Sequence, residues 1–151
     1  MELSGKFEVE LLSLVQAVRT FHQAVNLTAN KLFDKIIKDL IKKGKIQKFE
    51  YCAELAWKIS KMYLQLKTGE IEISPKQVYK TMFIAKLIDE NQFKALFRTI
   101  EDRNKLRHIH KEEMYDLIYN NLSVSAHLNA LERLVRILAD KPGLNSSQTN
   151  N

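Results

Sequence analysis

Glycine and proline are scarce in this chain, four and two among 151 residues. That scarcity excludes an all-β fold built on many tight turns and favours long helices with few connections. Cysteine is rarer still. Cys52 stands alone, which rules out an internal disulfide and a cysteine-cluster zinc site. No apolar run approaches the ~18 residues that a membrane span requires. The opening residues MELSGKFEVE carry acids where a secretory signal would carry positive charge and then an apolar stretch, so the expected address is the cytoplasm. Gly5, Gly44, Gly69 and Gly143 are isolated from one another, so no glycine-rich loop cradles a phosphate. Clustered acids able to hold magnesium beside such a loop are also missing, so the chain is not itself a nucleotidyltransferase.

What is present fits an ordinary soluble domain. Hydrophobic residues make up 45% and charged residues 28%. The length suits one domain with a proper core, expected over 1–139, followed by a disordered polar tail over 140–151. The net charge of +6 favours acidic partners, nucleic acid among them, although a lysine-rich solvated helix face gives the same balance.

Apolar spacing then places helices along the chain. Leu11, Leu12, Val15, Val18 and Phe21 predict a first helix over about 5 to 25. A second, basic helix carries Ile36, Ile37, Leu40 and Ile41 on one face, with Lys35, Lys38, Lys42 and Lys43 elsewhere, and Gly44 marks a stop or kink. From Ile46 to about Lys67, Phe49, Cys52, Ala53, Ala56, Ile59, Tyr63 and Leu66 keep the stripe of a core-facing helix. Glu54 and Lys58 form an i,i+4 pair on its flank. Ser74–Pro75 reads as a helix start, with Gln77 closing a capping box and Ile73 stapling onto Val78; Asp89 with Gln92 repeats the device. Met114, Leu117 and Ile118 suggest a shorter helix, and a last one spans about 124 to 139. Nothing alternates at period two. The expected architecture is an all-α, up-and-down bundle of four main helices plus shorter ones.

The densest ionisable chemistry lies in EDRNKLRHIH, residues 101–110. His108 and His110 with Glu112 or Glu113 could be weighed as metal ligands, but helix residues two apart point ~200° from each other, and no metal site is expected. Arg103 and His108 are the sharper pair. A neutral imidazole can take a 2′-hydroxyl proton while a guanidinium gathers phosphate charge, which is the chemistry of metal-independent RNA cleavage. On a continuous helix the two stand ~140° and ~7.5 Å apart. They converge only if the helix ends within the motif or a second chain contributes, as a two-fold dimer would. A structural role is equally physical: Arg103 and Asn104 bonding free carbonyls at a helix end, with His108 bridging a turn.

The stretch IQKFEYCAELAWKISKMYL (46–64) resembles the hallmark helix of the nucleotidyltransferase substrate-binding protein family. SPKQVYKTMFIAKLID (74–89) and IEDRNKLRHIH (100–110) follow in that family's order and spacing. The family is part of the wider HEPN group, whose helical bundles share an Arg-x4–6-His motif, here Arg103, Asn104 and His108. The resemblance implies a HEPN-like homodimer whose cleft those residues line. It also implies a separately encoded minimal nucleotidyltransferase as partner, in a toxin–antitoxin or similar two-gene system. In such pairs the HEPN member can be a metal-independent endoribonuclease, the alternative activity here. Asp102, His110, Trp57 and Glu54 are the candidate nucleotide- or partner-binding groups, RNA or a nucleotide the further ligand, and no cofactor is expected. Many toxin members continue His-x-Tyr and accept adenylyl groups on that tyrosine. This chain has His110 there, with Tyr115 and Tyr119 nearby but off the motif.

Overall fold

In the computed structural model, residues 2–26, 35–108 and 124–140 are described. Among these there are five helices and no strand: α1 (Glu2–Val25), α2 (Lys35–Thr68), α3 (Pro75–Ile84), α4 (Glu90–His108) and α5 (Val124–Ala139). The long helices α1, α2, α4 and α5 make the expected all-α bundle, and α3 is the short addition. The helix expected around Met114 and most of the tail, 141–151, fall outside the described residues.

Each long helix turns one apolar stripe inward. On α1 the stripe is Phe7, Leu11, Leu14, Val18 and Phe21; on α5 it is Leu128, Leu131, Leu134 and Leu138. Burying one such side chain stabilises the fold by about 1.5–3 kcal/mol. On α2, Phe49, Cys52, Ala53, Ala56, Ile59, Tyr63 and Leu64 face the same core. The small residues there let neighbouring helices approach, and α2 touches each of the other four. Burial pushes the Cys52 thiol up to about 12, so it acts as a packing group and not a nucleophile.

Two sequence expectations need correction. Gly44 does not stop the helix: α2 runs unbroken through it for 34 residues, about 50 Å at 1.5 Å per residue. A mid-helix glycine costs only about 1 kcal/mol, less than the packing that holds the later turns. The start of α3 also differs. Ser74 takes the extended N-cap backbone and Pro75 opens the helix, but the Ser74 side chain makes no capping hydrogen bond. Ile73 is 82% exposed, so no staple forms. Loop and helix are joined instead by the Thr81 hydroxyl, which donates to Glu72 Oε1 at 3.1 Å.

Half of the second device is present: the cap forms, but the Gln92 side chain does not return to it. Asp89 Oδ1 accepts the Gln92 amide at 2.7 Å, capping α4. Gln92 then uses its side-chain Nε2 to reach the Ala130 carbonyl of α5 at 3.0 Å, and Arg133 of α5 meets Asp89 at 3.5 Å. These contacts fix where α4 begins relative to α5, and hence where its far end, the charged motif, sits. α3 ends with Lys86 in the left-handed region (φ 61°), the Leu87 amide bonding back to the Met82 carbonyl at 2.9 Å.

Candidate functional site

The motif occupies the last two turns of α4, beside the middle of α2. Residues 103 and 107 are one turn apart on α4, as are 50, 54 and 58 on α2, so two rows of charge face each other. Arg103 is buried at 5% exposure, and its Nη1 donates to Glu54 Oε2. The same oxygen accepts from Trp57 Nε1 at 3.2 Å and from Arg107 Nη2 at 3.3 Å. Glu54 Oε1 takes Lys58 Nζ at 3.1 Å, the i,i+4 pair expected from the sequence. Arg103 Nη2 donates to Asn104 Oδ1 at 3.1 Å, while its Nε is buried with no hydrogen-bond partner.

Electrostatics follow from this crowding. Burial lowers the Arg103 pKa, Arg107 beside it pushes the same way, and Glu50 opposes both. Burial raises the Glu50 carboxyl, against the pull of Arg107 and Arg103. With Glu50 and Glu54 ionised, three cations face two anions, so the cluster holds one positive charge in excess.

The candidate residues therefore separate into groups. Glu54, Trp57, Arg103 and Asn104 come together. Arg103 is tied to a carboxylate on another helix, not to the free carbonyls at its own helix end. Asp102 turns instead to α5, where its Oδ2 lies 2.7 Å from His127 Nε2. His127 is 2% exposed and stacks on Phe49 with ring centroids 4.7 Å apart, so this pair bolts α4 to α5 and α2. His108 is exposed at the end of α4, and the helix does not break within residues 103–108, so one chain does not bring Arg103 and His108 together. His110, Tyr115 and Tyr119 lie outside the described residues. No group of three or more histidine, cysteine or carboxylate side chains placed to hold a metal occurs among the described residues.

Sequence reasoning missed Arg107 and Glu50 as members of this site. The available signal was spacing: Arg103 with Arg107 and Glu50 with Glu54 are both four apart, which puts each pair on one helix face.

The profile of the family described as nucleotidyltransferase substrate binding protein like matches residues 9–139. The chain belongs to this family. Two solved structures are similar to this chain. One is a Thermus thermophilus protein known by crystal structure, 21% identical, with a TM-score of 0.68, covering 83% of this chain and 98% of its own. The other is a tri-AMPylated Shewanella oneidensis HEPN toxin in complex with MNT antitoxin, 15% identical, with a TM-score of 0.69, covering 89% and 97%. At these identities the likeness is one of fold, and the fold is the HEPN-like bundle expected from the three sequence blocks. No curated protein matches the chain by sequence. Among the described residues, no helix is long and apolar enough to cross a membrane.

Proposed function

We propose that this family member is a homodimeric HEPN-type subunit that binds a separately encoded minimal nucleotidyltransferase, in the cytoplasm and without a cofactor. Arg103, Asn104 and His108 belong to the dimer cleft, and Glu54, Trp57, Asp102 and His110 support the nucleotide- or partner-binding side. The observation that supports this reading is the continuous helix through the motif. Arg103 is locked inward by Glu54 and His108 stands outward five residues later, so the His108 imidazole does not meet the guanidinium of its own chain, and a second subunit would supply it. The excess positive charge of the cluster suits an anionic group on the partner or a nucleotide phosphate.

Light scattering on the purified chain should give twice 17.6 kDa. Co-expression with a tagged minimal nucleotidyltransferase encoded beside its gene should yield a stable complex. A monomer that captures no transferase removes the proposal.

The ribonuclease alternative draws on the exposure of His108, a base open to substrate. It requires Arg103 to exchange Glu54 for an RNA phosphate. Growth arrest on expression that is relieved in His108→Ala, with the variant still folded, is the result that reading needs.

A further inference from the structure

Charge on this molecule is concentrated in one place. Residues 35–48 hold six lysines and one aspartate, so this short stretch accounts for five of the chain's six net positive charges. It forms the first four turns of α2, where residues 35–40 are all exposed. The stretch is also apolar: Ile36 is 70% and Leu40 62% exposed, one turn apart, and Tyr51 further along is 59% exposed. At ~100° per residue, Ile36, Leu40, Gly44 and Tyr51 fall within one ~80° sector of the helix. Beside that sector runs a groove between α1 and α2, lined by Thr20, Ala24, Ile41, Gly44, Lys45 and Lys48. A Cβ added at Gly44 would meet nothing within 4 Å, so the bundle itself does not require this glycine.

We infer that this face of α2 is a docking groove for an acidic, amphipathic helix of the partner protein. Three observations select that occupant. An exposed Ile36–Leu40 stripe gains nothing from a phosphate backbone but matches the apolar face of a helix laid in a groove. The glycine leaves room for close backbone approach. The lysines flanking the stripe would oppose each other in a symmetric pairing of two copies, and they attract a helix bearing glutamate or aspartate beside its apolar residues. Taking that partner to be the nucleotidyltransferase rests on the function proposed above.

The test is co-purification of untagged chain with the tagged transferase, comparing wild type with Lys43→Glu/Lys48→Glu and with Ile36→Ser/Leu40→Ser. Lys43 and Lys48 border the sector of Ile36, Leu40 and Gly44 on its two sides, within about 40° of it, and circular dichroism checks that each variant folds. Docking predicts that affinity falls by about tenfold or more in each double variant, as when several contacts are removed from one interface. Added salt should weaken the wild-type complex and leave the Lys43→Glu/Lys48→Glu complex almost unaffected, because screening acts on the charge contacts. A wild-type complex that both variants retain overturns this inference and leaves the proposed function standing. Absence of any wild-type complex overturns both. A labelled oligouridylate that wild type binds and the charge-reversed variant does not, with transferase capture unchanged, assigns the face to nucleic acid and overturns the helix. A dimer that dissociates in either variant, with capture unchanged, assigns it to a second copy with the same result.

Discussion

At the scale of single residues, the site turns on the Glu54 carboxylate, which accepts from Arg103, Arg107, Trp57 and Lys58. Glu54→Gln keeps the shape but leaves the Arg103 charge buried without its counterion. Urea unfolding should register a loss of about 1–3 kcal/mol, the scale for a buried partner left unsatisfied. Arg107→Ala removes a side chain that is 54% exposed, and should cost no more than about 1 kcal/mol. Glu50 behaves in the opposite sense. Its folded pKa is raised, so the native state holds the proton more tightly than the unfolded chain, and stability contributed by Glu50 is lost as pH rises through that folded value. Glu50→Gln should therefore gain on wild type at pH 7 and lose that advantage near pH 4, when both forms are neutral. Parallel denaturation curves at the two pH values measure it. The Glu54–Lys58 pair was legible in the sequence because four residues on one helix are always neighbours. The Arg103–Glu54 pair was not, because those residues are 49 apart and meet only through packing.

At the scale of elements, periodicity carried most of the fold. Core stripes such as Leu128–Leu138 and Phe49–Tyr63 are period-3.6 patterns, and α5 and the later turns of α2 lie where those patterns place them. Capping chemistry was half legible. Asp89 performs as a cap because Gln92 presents its amide to it, whereas Ser74 makes no cap because loop and helix are joined through Glu72 and Thr81 instead. Gly44 was misread because a local breaker was weighed without the tertiary contacts that outweigh it. Its substitution tests this account. Gly44→Ala meets no steric contact and restores helix propensity, so it should stabilise the isolated protein by about 0.5–1 kcal/mol in thermal or urea unfolding.

At the scale of the whole molecule, the sequence carried the bundle and its family but not the division of labour within the motif. Asp102 and Arg103 are adjacent in the chain yet serve different helices, one through His127 of α5 and one through Glu54 of α2. Neighbours on a helix surface point ~100° apart, so a compact run of charge in sequence need not be a compact site in space. The two polar ties brace α4 against both of its larger neighbours, just before the residue that the dimer reading sends outward.

α2 is gripped along its later turns and exposed at its beginning, which makes it a rod clamped at one end. Backbone amides in 46–66 should open only when the entire domain does, whereas those in 35–43 can fray by themselves. Deuterium uptake along this single helix should accordingly show a steep gradient, slow over the clamp and fast over the leading turns. Uniform slow uptake over 35–66 in the isolated chain would mean that the leading end is held as firmly as the clamp.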